Sequence, residues 1–215
     1  MDLKSKIRTL GEKEMRKTRI MLILTIILAT IFIPTAIQVS ATPWSKSNTS
    51  VVDLDFWTGG LTKGFKDNGE IGGYRTWSAY ASGGLFHWGE VRVWITSGTI
   101  KSDIAGNYEV DFQTYFDGKI TVGVQNRNVW LKITYQLKQG STVIFSTLDM
   151  YDTQQTWPGN TITHTEPVVL SANTVYHVYV YYRYYCGVAT AGNHVDFYEH
   201  GTEYHQWRGW TLSHD

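Results

Sequence analysis

Beyond residue 50 the chain repeats one pattern: an apolar side chain at every second position. Val129, Leu131, Ile133, Tyr135 and Leu137 alternate with Trp130, Lys132, Thr134 and Gln136. Val91, Val93 and Ile95 alternate with Arg92, Trp94 and Thr96, and Tyr108, Val110 and Phe112 alternate with Glu109, Asp111 and Gln113. Ile120, Val122 and Val124 repeat the pattern, as do Val52, Leu54 and Phe56. A period of two places alternate residues on opposite faces of a pleated strand, so one face is buried and the other is polar. The stretch 174–186 is the longest such run. Tyr176, Val178, Val180, Tyr182 and Tyr184 fall on one side, and His177, Tyr179, Tyr181, Arg183 and Tyr185 on the other. No stretch after residue 42 carries a helical period.

Turn chemistry separates these runs. Asp117-Gly118 predicts a two-residue hairpin, and Lys138-Gln139-Gly140-Ser141 predicts a second. Asp67-Asn68-Gly69, Gly83-Gly84 and Gly106-Asn107 supply residues that tolerate positive φ. Pro158 and Pro167 flank the strand-like stretch 161–165 and predict a sheet edge or a loop, because proline cannot donate to a ladder. About ten strands, spaced roughly 8–15 residues apart, predict an all-β fold: an antiparallel β-sandwich, jelly-roll-like, forming a single domain over 51–215.

The front of the chain differs. Lys4, Lys6, Arg8, Lys13, Arg16, Lys17 and Arg19 precede an apolar run from Ile20 to Ile33, and Val39-Ser40-Ala41 offers small residues. A basic start, a short apolar middle and a small-residue exit describe a signal peptide over 1–41, cleaved between Ala41 and Thr42. Met15 is an alternative true start, since it puts Met-Arg-Lys-Thr-Arg directly before the apolar run. The run is 14 residues long, short of the roughly 20 that a spanning helix needs. The polar stretch 42–50 then reads as a flexible tether. Within it, Asn48-Thr49-Ser50 matches a glycosylation sequon at Asn48.

Charge changes the picture once the leader is set apart. The leader holds seven of the 19 Lys+Arg and three of the 19 Asp+Glu, which leaves 12 basic and 16 acidic residues and a net of −4 in residues 42–215. That balance argues against nucleic acid as a partner and confines membrane contact to the leader. Cys186 is the one cysteine, so no internal disulfide forms, and it reads as a small buried hydrophobe.

Three sets of residues carry candidate chemistry. Trp94, Trp130, Tyr179, Tyr181 and Tyr185 lie opposite the aliphatic positions of their strands. Exposed rings of this kind form a platform for sugar rings or for a protein partner; the plainer alternative is that a second layer covers them. His194, Asp196 and His200 share one face if their segment is a strand, a donor set for zinc. Asp53, Asp55 and the loop Asp67-Asn68-Gly69-Glu70 are oxygen-rich and suit calcium. Neither set matches a complete ligand spacing, and a solvated surface explains both. Paired carboxylates for glycoside hydrolysis would come from Glu90, Glu109, Glu166, Glu199 and Glu203, with Glu109 and Asp111 facing outward. No nucleophile-elbow Gly-x-Ser-x-Gly is present.

No motif names an activity, and two functional readings follow. One is a secreted or cell-surface, non-catalytic protein with a structural, adhesive or self-assembly role. It would join copies of itself or other surface proteins, for example by adding the strand Val51–Trp57 to a neighbouring sheet. The other is a carbohydrate-binding module, or a small secreted glycoside hydrolase, that meets polysaccharide on an aromatic-lined face. A weaker third is a β-type membrane-damaging hairpin built from 174–188.

Overall fold

The computed structural model describes residues 44–123, 128–188, 192–198 and 203–214. Ala41–Asp215 form one compact unit. The expected leader, the cleavage expected between Ala41 and Thr42, and His200 lie outside the described residues. Among the described residues no helix is long and apolar enough to cross a membrane.

The chain folds as an antiparallel β-sandwich of two sheets packed face to face. Its strands are β1 (Trp44–Asn48), β2 (Val51–Gly60), β3 (Lys63–Ile71), β4 (Tyr74–Ser82), β5 (Gly89–Lys101), β6 (Gly106–Thr121), β7 (Val129–Gln139), β8 (Thr142–Tyr151), β9 (Gln155–Leu170), β10 (Val175–Cys186), β11 (His194–Phe197) and β12 (Tyr204–His214). One sheet runs β2-β5-β10-β7-β8. In the other, β11 and β12 share a single lane between β4 and β6, because Asp196 pairs with Tyr80 and His205 with Trp77. β3 lies outside β4, β1 continues along β12, and β9 lies outside β6.

Twelve strands among the described residues exceed the ten expected, for two reasons. The C-terminal run is interrupted between Phe197 and Tyr204, which makes one lane into two strands. Residues 44–48, expected within a tether, form β1 and pair with β12 from Trp44↔His214 to Asn48↔Trp210. Backbone pairing needs no apolar period, and the polar sequence WSKSN hid this strand. The chain crosses between sheets at Thr49 and Ser50, where the Ser50 carbonyl accepts bonds from the Ser97 hydroxyl at 2.9 Å and the Gly98 amide at 3.1 Å.

Other turn readings fared unevenly. Gly140-Ser141 does close β7 onto β8. Asp117-Gly118 makes no hairpin; it lies inside β6. The glycine serves close approach there: a Cβ at 118 would sit 2.3 Å from the Phe197 ring and 2.5 Å from the Asp196 carbonyl oxygen. Asp67-Asn68-Gly69 is a bulge within β3. The hairpin turn itself is Gly72-Gly73, with φ of 63° and 80°, the left-handed pair that a tight primed turn requires. Both prolines fall in β9, the edge lane of its sheet, opposite Asp117 and Glu109, as proline chemistry demands.

In β5, β6, β7 and β10 alternation fills the core as the sequence predicts; in β2 it does not, since Val52 is 73% and Phe56 50% exposed on that edge strand. Val91, Val93, Ile95, Leu131, Ile133, Leu137, Val178, Val180, Tyr182 and Tyr184 from one sheet meet Trp77, Val110, Phe112, Phe116, Val195, Phe197, Trp207 and Leu212 from the other. Large rings carry polar atoms that must be paired when buried. The Trp77 indole N–H donates to the Tyr184 hydroxyl at 2.9 Å. The Tyr184 hydroxyl also bonds His205 Nδ1 at 2.8 Å, with the donor set by the imidazole tautomer. Trp207 Nε1 donates to Ser97 Oγ at 2.9 Å, and the Thr114 and Tyr182 hydroxyls meet at 2.8 Å. Each pair joins one sheet to the other. Cys186 is buried, and burial pushes its thiol up to about 11, which fits a small core hydrophobe.

Two outcomes follow. Tyr184→Phe leaves both the Trp77 N–H and His205 Nδ1 unpaired, and should cost about 2–4 kcal/mol in chemical denaturation. Burial also holds His205 well below its ordinary pKa of 6.5, so the ring stays neutral in the fold and takes a proton only on unfolding. Below about pH 6.5 the unfolded chain therefore binds the extra proton, and stability falls as pH drops, by up to about 1.4 kcal/mol per unit. Melting curves from pH 8 to 5, compared with His205→Gln, should show this slope in the parent and its loss in the variant.

Candidate functional site on the outer face of the five-stranded sheet

Pairing in the β2-β5-β10-β7-β8 sheet sets the outward side chains into cross-strand rows. One row reads Gly59, Glu90, Tyr185, Trp130. The next reads Trp57, Arg92, Arg183, Lys132, Met150, and the third Asp55, Trp94, Tyr181, Thr134, Leu148. A fourth places Tyr179 between Thr96 and Gln136. All five aromatic residues singled out from the sequence thus lie on one face. Among the described residues no second layer covers it: Trp94 is 37% exposed and Trp57 41%.

The rings are organised. Trp94 stacks with Tyr181 at 5.3 Å and 13°, and Trp130 with Tyr185 at 4.9 Å and 22°. Cations lie against them: Arg92 over Trp57 at 4.6 Å, Lys132 and Arg183 over Trp130 at 4.5 and 4.8 Å, and Lys138 over Tyr179 at 4.1 Å. Such contacts stiffen long side chains that would otherwise roam. Trp57 lies across the backbone of Gly59, where an added Cβ would stand 2.2 Å from the ring. Beside the rings runs a groove of about 160 Å³, lined by Trp94, Thr134, Gln136, Lys138, Tyr179 and Tyr181. At one end, the tight turn Gly84–His87 carries Leu85 and Phe86 into solvent, and the neighbouring Trp88 reaches Tyr185 at 6.4 Å.

Glu90 is the electrostatic hub of the face. Its side chain is only 4% exposed, with Arg92 Nε at 2.8 Å and Arg183 Nε in closer contact on the same oxygen. Burial alone would raise its carboxyl, but the bonds from Arg92 and Arg183 outweigh that and hold it below the usual carboxylate range. A carboxylate so held stays ionised and is a structural anion, not an acid poised to give a proton.

The remaining candidates disperse. Glu109 points outward from β6 on the other sheet, and Asp111 there accepts a bond from the Thr165 hydroxyl at 2.6 Å. Glu166 belongs to a clasp between the edge strands β8 and β9. There His164 Nδ1 meets Asp149 at 2.7 Å, His164 Nε2 meets Glu166 at 3.1 Å, and the Thr147 hydroxyl donates to Glu166 at 2.9 Å. Thr147, His164 and Asp149 resemble a hydroxyl–imidazole–carboxylate relay, but that hydroxyl is already committed to Glu166. Glu90, Glu109 and Glu166 therefore occupy three separate surfaces. Glu199 lies outside the described residues.

In the proposed metal set, β11 ends at Phe197, before the alternation could extend to position 200. Asp196 is buried and accepts the Tyr198 amide at 3.0 Å. Among the described residues no three His, Cys, Asp or Glu side chains converge on a metal position. Asp67 is occupied by Arg75 and by the Gly69 amide, and Asp53 and Asp55 lie on the exposed β2 edge. Asn48 accepts the Ser50 amide at 2.7 Å and packs its Nδ2 over Gly98, so a glycan there requires the side chain to swing out. The stretch 174–188 contains the central strand β10 (Val175–Cys186), paired on both sides by β5 and β7, which leaves it unable to act as a free inserting hairpin.

Sequence reasoning overlooked Trp57, Arg92, Lys132 and Trp88 as members of the face. Their strand parity was readable; their grouping needed the cross-strand register.

No family model matches this chain, and no curated protein matches it. Among solved structures it is similar to the enzymatically active domain of tailspike protein 4 of bacteriophage CBA120, at 8% identity and a TM-score of 0.29, covering 76% of this chain and 18% of that one. It is also similar to the carbohydrate-binding module TmCBM61 in complex with β-1,4-galactotriose, at 10% identity and a TM-score of 0.30, covering 73% and 86%. A third is the CBM36-1 domain of a multidomain xylanase from the hindgut metagenome of Trinervitermes trinervoides, at 12% identity and a TM-score of 0.27, covering 81% and 98%. The chain thus spans less than a fifth of the tailspike structure's length. At these scores the likenesses carry no argument about ligand or activity.

Removing the buried anion of the face should be costly. Glu90→Gln leaves Arg92, Arg183 and Lys132 adjacent with no counter-charge, and a loss of about 2–3 kcal/mol is expected from denaturant titration, less at high salt.

Proposed function

We propose that the protein is exported and binds polysaccharide, without cleaving it, on the outer face of the β2-β5-β10-β7-β8 sheet. The observation that carries this reading is the gathering of Trp57, Trp94, Trp130, Tyr179, Tyr181 and Tyr185 on one uncovered face beside a groove with Thr134 and Gln136. Sugar rings offer apolar C–H faces and many hydroxyls, so they are met by flat rings with polar groups between them. Glu90, the carboxylate beside the rings, is held ionised by Arg92 and Arg183, which supports binding over hydrolysis, a reaction that needs an acid and a second carboxylate flanking one bond. Cleavage between Ala41 and Thr42 would leave β1 whole, since that strand begins at Trp44; the intact mass of secreted protein should start at Thr42.

Tryptophan fluorescence titrated against a panel of polysaccharides tests the main claim. Trp94→Ala and Tyr181→Ala should each weaken binding roughly tenfold, about 1.4 kcal/mol, while leaving the melting temperature nearly unchanged. Gly59→Ala should displace the Trp57 ring and weaken binding in the same assay. Flat titrations of the parent across the whole panel would refute the reading.

One observation favours a second reading, self-association. β8 is an edge strand whose Val143, Ile144, Leu148 and Met150 are exposed, and an apolar open edge invites strand addition. On that reading Leu148→Lys converts concentration-dependent oligomers to monomer in light scattering; a parent that is monomeric throughout removes it.

A further inference from the structure

Arg183 stands directly between Arg92 on β5 and Lys132 on β7, so three cations occupy adjacent positions of one row. Like charges placed directly opposite one another destabilise a sheet. Glu90 offsets one of the three, and Lys132 makes no ion pair among the described residues. Lys138 adds a fourth cation on the same face, over Tyr179. The acidic side chains Asp53 and Asp55 are confined to the β2 edge. The centre of the face is therefore positive although residues 42–215 carry a net negative charge.

The arginines are also oriented. Both reach Glu90 through Nε, and their terminal amino groups make no hydrogen bond among the described residues. Their side chains are 34% and 33% exposed. A guanidinium fixed at Nε still presents a planar two-donor end, the fork that grips a carboxylate with two parallel bonds. Stacked ring pairs flank this row on both sides: Trp94 with Tyr181, and Trp130 with Tyr185. The two pairs lie four residues apart along the strands, about 13 Å, which asks for more than one sugar ring.

We infer that the polysaccharide is acidic, and that Arg92, Arg183 and Lys132 take the carboxylate of a uronic-acid unit while the flanking rings stack on that unit and its neighbours. This rests on the polysaccharide reading above and specifies its ligand. Single-stranded nucleic acid also pairs stacking with negative charge, and its binding relative to a polyuronate at the same salt distinguishes the two.

Polygalacturonate and its fully methyl-esterified form share one backbone and differ only in the anion, so their comparison by calorimetry on the purified protein is decisive. Polygalacturonate should bind roughly tenfold or more tighter, and the preference should shrink as salt rises from about 0.01 to 0.5 M. Lys132→Gln, which breaks no ion pair, should cut the preference for the acid over the ester about threefold, and Arg183→Gln should nearly abolish that preference. Trp94→Ala should weaken both polymers alike. Equal binding of acid and ester overturns the inference and leaves polysaccharide binding standing. Binding of neither polymer, nor of any neutral glycan, removes both. Tighter binding of dextran sulfate or of oligo-dT than of polygalacturonate at the same salt also overturns it, in favour of sulfate or nucleic acid.

Discussion

The sandwich depends on aromatic side chains that bury large rings and, at Trp77, Tyr182, Tyr184 and Trp207, pair their polar tips across the gap between sheets. Tyr184 is the clearest case: it rises from the centre of one sheet and touches Trp77 and His205 of the other. Phe197 packs its ring against the His205 imidazole at 3.8 Å in an edge-on arrangement. The hydrophobic contribution of such rings is large, but an unpaired hydroxyl or indole N–H in the same place would cancel much of it. The bonds of Trp207 to Ser97 and of Tyr182 to Thr114 repeat the solution at other points of the interface. With one cysteine and no bridge, this packing, together with the ladders within each sheet, holds the domain.

The same strand that fixes the core supplies the outer face. In β10, Tyr182 and Tyr184 point inward while Tyr181, Arg183 and Tyr185 point outward. Because β10 is hydrogen-bonded on both sides over nearly its whole length, its outward residues are held at fixed spacing. The proposed binding of a repeating polymer would gain from that rigidity, since little side-chain and no strand freedom would be lost on binding. Glu90 completes the arrangement by anchoring two arginines that would otherwise repel one another.

Much of the fold was legible because burial on one face forces a period of two. The inward set of β5, β7 and β10 can be read directly from residues 91–95, 129–137 and 176–184. What misled were features whose backbone role is not written in hydrophobicity. β1 is polar yet paired, Gly118 is a packing glycine inside a strand, and the lane shared by β11 and β12 looks like one segment rich in histidine and carboxylates. For the face, parity marked Trp94, Trp130, Tyr179, Tyr181 and Tyr185 as outward, but gave no means of knowing that Trp57 and Lys132 would fall in one row with the arginines.

Side-chain periodicity by itself determined that the chain forms strands, which residues the inner strands β5, β7 and β10 hide, and that it carries a surplus of outward aromatic rings, whereas in β2 its apolar set Val52 and Phe56 is exposed. It could do so because alternation is a local property of a pleated backbone. Which strands are neighbours, and so whether those rings and cations scatter or gather, was decided only by the tertiary structure. Cross-strand register is a pairing between residues as distant as Arg92 and Arg183, and no local pattern encodes it.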